Sequence, residues 1–142
     1  MKISYVPIGH IAGLVPALLP YLAKSEAWSG GRVSKDDLLR LILTDMVQLW
    51  VVHENADIHG FFGLEVKLYP RCKMLTIQYC AMETGTLAEV EEEMMRLAEE
   101  LAHKAGCAGI EFIGRPGWKK IVDTHGYAVQ STMYQKFFKE SE

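Results

Sequence analysis

The sequence predicts an α/β domain (α+β with a mixed sheet), and three observations carry that prediction. Residues 73–82 (KMLTIQYCAM) alternate Leu75, Ile77 and Tyr79 against Met74, Thr76 and Gln78, the pattern of a half-buried strand. Thr86 stands three residues before Glu89, which reads as a capping box, and Leu87, Val90, Met94, Leu97 and Leu101 follow at helical steps on one face. Gly106 stops that helix, and residues 109–113 (GIEFI) form a short buried strand. A strand–helix–strand unit of this size is a crossover between parallel strands. Its usual ligand position is the end of the first strand and the start of the helix.

The other elements follow in order. Residues 2–6 make a first strand. Residues 10–24 are helical but carry Pro16 and Pro20, each lacking a backbone donor, so two short turns or a kink are expected. Residues 26–33 (EAWSGGRV) form a loop with Gly30 and Gly31 at its flexible point. Ser34 caps the next helix with Asp37 at the third position, and Leu38, Leu41 and Ile42 follow. Residues 47–53 and 60–69 are strands joined by the polar turn Glu54-Asn55-Ala56-Asp57, and Pro70-Arg71 turns the chain into the strand from Lys73. After Ile113, residues 116–125 make a short helix closed by Gly126, and residues 127–138 (YAVQSTMYQKFF) a long final strand. The order is β-α-α-β-β-β-α-β-α-β, with about six strands in one domain over residues 1–142. The fourth and fifth strands are expected to diverge.

The 142 residues are 49% hydrophobic, which supports a sizeable core. A net charge of −3 gives no global field for nucleic acid or an acidic membrane surface, so neither is expected as a partner. No window approaches the roughly 20 apolar residues of a membrane span. The first ten residues, MKISYVPIGH, lack the regions of a signal peptide. Cys72, Cys80 and Cys107 are an odd number without metal spacing, so reduced thiols in a cytoplasmic protein are expected.

The element order and several local words resemble the GCN5-related N-acetyltransferase (GNAT) family over nearly the full chain. The words are the strand end Ile58-His59-Gly60-Phe61-Phe62-Gly63-Leu64, the strand from Lys73 with the helix from Thr86, and Ile121-Val122-Asp123-Thr124-His125-Gly126-Tyr127. The resemblance implies a GNAT-like acyl-CoA N-acyltransferase fold whose fourth and fifth strands splay around the pantetheine arm of acetyl-coenzyme A. It implies a cofactor site at Tyr79, Cys80, Ala81, Met82, Gly85, Thr86, Leu87 and Ala88, with pyrophosphate on the amides that open the helix.

The chain departs from the family's pattern at both ends of that site. Gly85 is kept, but Leu87 stands where a small residue is expected, Met82 where a basic or Gln residue is common, and Glu83 lies close by. A carboxylate beside a pyrophosphate costs free energy unless it points away. The family's late-helix Tyr, the general acid, is matched by Val122. Tyr79, Glu65 and Tyr134 are the candidate catalytic residues, and Gln78 and His59 could also contribute; spacing does not choose among them.

Each feature also has a plainer reading. Gly85-Thr86 can be a simple strand-to-helix turn, and Glu89 to Glu93 a solvated helix face. His53 and His59 read as surface residues flanking a hairpin, without the further ligands of a metal site. Cys80 reads as a small core residue with no adjacent His to activate it. Trp28 can line a substrate cleft or anchor its loop in the core, while Trp118 and His125 read as packing and helix-end residues. Two functions follow. One is an N-acetyltransferase acting on an unidentified amine by direct attack, with weak acetyl-coenzyme A binding. The other is a catalytically inactive binding or structural accessory protein, since degenerate GNAT-like chains resemble accessory proteins of tailed phages. The apolar 137–138 pair could join a neighbour's edge in a homodimer.

Overall fold

In the computed structural model, which describes residues 1–138, the elements are β1 (Lys2–Tyr5), α1 (Ile8–Trp28), α2 (Lys35–Leu43), β2 (Gln48–Glu54), β3 (Asp57–Leu68), β4 (Lys73–Met82), α3 (Thr86–Lys104) and β5 (Gly109–Phe112), followed by a 3-10 turn (Pro116–Trp118) and α4 (Lys119–Thr124). The five strands lie in chain order in one sheet. Neighbours are antiparallel through β4, and α3 returns the chain so that β5 lies parallel to β4. The crossover expected from the strand–helix–strand spacing is therefore present.

Strand alternation divides the core between two faces of the sheet. Phe61 and Phe62 are consecutive and both fully buried, yet they belong to different layers. Phe61 packs with Ile11, Leu18 and Leu22 of α1 and Leu38 and Ile42 of α2. Phe62 packs with Ile77 of β4 and with Val90, Met94 and Ala98 of α3. The front face is thus covered by α1 and α2, the back face by α3.

Several local expectations are met in detail. Ser34 accepts from the Asp37 amide while the Asp37 carboxylate accepts from the Ser34 amide, a complete capping box. β4 has the bounds its alternation predicts. The β2–β3 hairpin is tighter than expected because Glu54 and Asp57 pair, leaving Asn55 and Ala56 as the loop, with Asn55 at a φ of 55°.

Other expectations are corrected. α1 is one helix of 21 residues rather than two turns, and it absorbs the start of the predicted 26–33 loop. Pro16 and Pro20 both lie on its exposed side, and neither can donate to the carbonyl four residues before it, of Ala12 and Pro16, which are themselves exposed residues. Thr86 is not the cap of α3: Gly85 takes that position with a φ of 87°, and Thr86 is the first helical residue, buried. The buried stripe of α3 is Val90, Met94, Met95, Ala98 and Ala102, while Leu87, Leu97 and Leu101 are only half-buried beside it. The small Ala side chains let the helix settle on the sheet with the larger leucines at its flank. The strand at 109–113 ends at Phe112 and is half-buried rather than buried.

The largest difference concerns residues 127–138, expected as a sixth strand. They join no strand and lie largely exposed. Alternation supplies a strand's side-chain pattern but not its ladder, and this segment instead meets the loop after α1. Arg32 donates to the Gln135 side chain at 2.6 Å and lies 5.9 Å from the Phe137 ring centroid.

Candidate functional site

The site begins with a defect in pairing. Phe62 pairs with Cys80 and Leu64 with Ile77, so Gln78 and Tyr79 of β4 stand against the single residue Gly63. This is a β-bulge, which twists the strand that carries it. Gly63 is required there: a Cβ would meet Val47 Cγ1 at 2.6 Å and Tyr79 Cβ at 3.5 Å. On the other side, β5 leaves β4 at the same level. The pairing ends with Phe112 against Ile77, and the Ile113 amide gives a last bond to the Ile77 carbonyl at 3.0 Å. Beyond Ile77, β4 has no strand on its β5 side among the described residues.

The gap is a cleft of about 320 Å³. One wall is the second half of β4 and its continuation, Cys80 to Gly85, with Leu87 from α3. The other is Arg115, Gly117 and Trp118 from the segment after β5, with Trp28 arriving from the end of α1. Trp118 is held by Phe112, their ring centroids 4.7 Å apart. The Arg115 guanidinium lies 3.5 Å from the Trp28 ring centroid, a cation stacked on an aromatic face at the mouth.

The helix end in this cleft is open for an anion. α3 has no side-chain cap, and the Thr86 amide bonds back to the Glu83 carbonyl at 3.0 Å. The next amides, of Leu87 and Ala88, have no acceptor within the helix, the condition that makes helix N-termini bind anions. A Cβ at Gly85 would meet nothing within 4 Å, but its left-handed φ selects glycine.

Glu83 has a partner that spacing did not reveal. Its amide donates to the His59 carbonyl at 2.8 Å, and its carboxylate lies 2.5 Å from His59 Nδ1. Tyr21 of α1 donates its hydroxyl to the Ile58 carbonyl next door, and burial followed by the Glu83 charge raises its pKa. Inside the cleft, burial pushes the Cys80 thiol up to about 12, with Arg115 pulling weakly the other way. Such a thiol is not a nucleophile at neutral pH.

Of the eight residues expected to hold a cofactor, Cys80, Ala81, Met82, Gly85 and Leu87 line the cleft. Thr86 is buried beneath it, Ala88 is exposed on the first turn of α3, and Tyr79 packs toward the α1 and α2 layer. Burial, then Glu65, raises the Tyr79 pKa. Tyr134 is 90% exposed on the C-terminal segment and is not among the cleft residues. Val122 packs into the α3 layer.

Glu65 stands in a row that crosses the sheet just below the split: Glu65 pairs with Thr76, and Thr76 with Glu111. Leu75 and Ile77 face α3, so Thr76 faces the front. The Thr76 and Tyr69 hydroxyls both donate to Glu111 Oε2, at 3.0 and 2.8 Å. The Tyr69 pKa is raised, chiefly by that bond to Glu111. Lys67 donates to the Gln78 side chain at 3.2 Å on the same side.

Arg115 and Glu111 were missed from the sequence. They lie some thirty positions beyond β4 in the chain, and only the parallel return of β5 brings them beside it. The "IEF" strand carried a signal for Glu111, a lone charge inside an apolar run.

No family model matches the chain. No curated protein matches it. Solved structures do match over nearly its full length. A ribosomal-protein-alanine N-acetyltransferase from Brucella melitensis biovar Abortus 2308 is 12% identical with a TM-score of 0.70, covering 97% of this chain and 100% of that one. A GCN5-related N-acetyltransferase from Ralstonia eutropha JMP134 is 14% identical with a TM-score of 0.70, covering 96% and 97%. A glucosamine-6-phosphate N-acetyltransferase from Arabidopsis thaliana is 15% identical with a TM-score of 0.67, covering 97% and 98%. The chain has the GNAT fold.

Proposed function

We propose that this chain is an acyl-coenzyme A-dependent N-acetyltransferase that passes an acetyl group to an amine by direct attack. The observation that carries this reading is the cleft itself: strands that part at Ile77, leading to an uncapped helix N-terminus with Arg115 across the gap. The fit to a coenzyme is good in charge and backbone, and tight in volume. Leu87 and Ala88 offer amides, Gly85 lets an anion approach, and Arg115 supplies the cation missing at Met82. Leu87 narrows the seat, which supports weak binding.

When bound, acetyl-coenzyme A supplies the activated carbonyl that an amine attacks. The unpaired backbone of β4 beyond Ile77 offers donors that hold and polarise it. Glu111, held through one oxygen by Thr76 and Tyr69, keeps its other oxygen for the proton of an incoming amine. Tyr79, at the bulge, stays protonated at neutral pH but packs toward the α1 and α2 layer, outside the cleft.

Calorimetry with acetyl-coenzyme A tests the cofactor. Wild type should bind with a dissociation constant in the range of roughly 0.1 to 1 mM. Arg115→Ala should weaken that by about tenfold or more, the worth of one charge-assisted contact. No binding at millimolar cofactor would sink the proposal. The second reading, an inactive binding or accessory protein, draws on Leu87 in the cleft and Val122 in the packed layer. It gains if coenzyme A binds but no amine is acetylated.

A further inference from the structure

Glu83 lines the cleft next to Thr84 and Gly85, and a lone carboxylate there would repel phosphate. It is not alone. His59, a quarter-exposed imidazole at the start of β3, holds it at 2.5 Å through Nδ1, and the Glu83 amide is tied to the His59 carbonyl. The two residues are thus fixed to each other by backbone and side chain. We propose that His59 is the charge-compensating member of the phosphate seat, so that coenzyme A capture by this chain is linked to uptake of a proton. This deepens the acetyltransferase reading and rests on it.

The reasoning is electrostatic. With His59 protonated the pair is neutral, and the seat presents its helix amides and Arg115 to the ligand without opposition. With His59 neutral, the Glu83 carboxylate stands uncompensated in the same cleft. A ligand that prefers the first state must draw a proton onto the protein when it binds, and its affinity must fall as pH rises through the histidine range. The other charged and titratable groups around the pair are Tyr21 and Lys24 from α1, His53 and Glu54 from β2, and Asp57 on β3. The other histidine among these, His53, has its ring taken by Ser4 and the Asn55 carbonyl. Variants at 59 and 83 separate the two histidines.

The probe is 3′-dephospho-coenzyme A, because a phosphate monoester itself titrates near pH 6 and would imitate the effect. Binding is measured by calorimetry at pH 5.5 and pH 8, in buffers of different ionisation enthalpy that report proton uptake. Wild type should weaken about three- to tenfold between the two pH values and take up a fraction of a proton at pH 7. Glu83→Gln should bind at pH 8 about as tightly as wild type does at pH 5.5, and more tightly still at pH 5.5, because His59 can still add a positive charge beside the seat. His59→Gln, which keeps a donor to Glu83 but no titratable charge, should bind weakly at both pH values. A flat wild-type profile, or a His59→Gln variant that keeps the wild-type slope, overturns the proposal while leaving the acetyltransferase reading intact. Absence of binding by all three proteins at both pH values overturns both.

Discussion

The two halves of β4 do different work although they are one strand. From Lys73 to Ile77 it is paired on both sides, and Leu75, Thr76 and Ile77 are almost wholly buried. From Gln78 to Met82 it is paired with β3 alone, and most of its residues are half-buried around the cleft. Composition does not separate the halves, since both are apolar. What separates them is the bulge opposite Gly63 and the departure of β5 at Phe112. The cleft here costs no core residue; it is made by withholding a neighbour from a strand that remains otherwise regular.

Substitutions can sharpen that contrast. Ile77→Ala removes a fully buried side chain in the doubly paired half and should cost about 2–5 kcal/mol in urea unfolding. Cys80→Ala, three residues on, should cost roughly 1 kcal/mol or less, as expected of a small, half-buried residue. Equal losses would mean that the two halves are packed alike. Gly85→Ala comes next. No atom obstructs a Cβ, so the expected loss of about 1–2 kcal/mol comes from the left-handed backbone alone. A neutral result would show that the turn relaxes to another conformation and that the helix start is not fixed.

The smallest effect lies far from the cleft, at the capping box of α2. Asp37 has its pKa lowered by the bond from the Ser34 amide, then by the bond from the Ser34 hydroxyl. A depressed carboxyl adds stability above its unfolded value of 3.8, and that contribution fades as pH falls through the folded value. Asp37→Asn should therefore narrow the stability difference from wild type below pH 4 and show its full deficit at neutral pH. A deficit independent of pH would assign the effect to helix propensity instead.

Local signals in the sequence suffice where the residues that make a feature are close together in the chain. The Ser34 box and the bounds of β4 depend on residues within a few positions of each other, and both appear as expected. The parallel placement of β5 follows from the length of α3. The cleft was legible in its β4 wall, because that wall is one continuous segment. Its opposite wall was not, since Trp28, Arg115 and Trp118 meet only after the chain has crossed the sheet. In the sequence Glu83 is a lone repulsive charge, because His59, 24 positions away, is its neighbour only through the β3–β4 ladder. The predicted sixth strand failed for a related reason. Alternation in 127–138 describes a chain that could pair, and the partner is decided elsewhere.

That missing strand bears on how the protein behaves at high concentration. Among the described residues nothing pairs with the outer side of β5, which leaves a sheet edge of four residues. Long, flat, apolar edges recruit other chains and seed aggregates. This one is too short to template a ladder, ends at the cleft, and carries the Glu111 carboxylate in its middle. The brevity that lets β5 turn away from β4 also blunts the edge that it leaves.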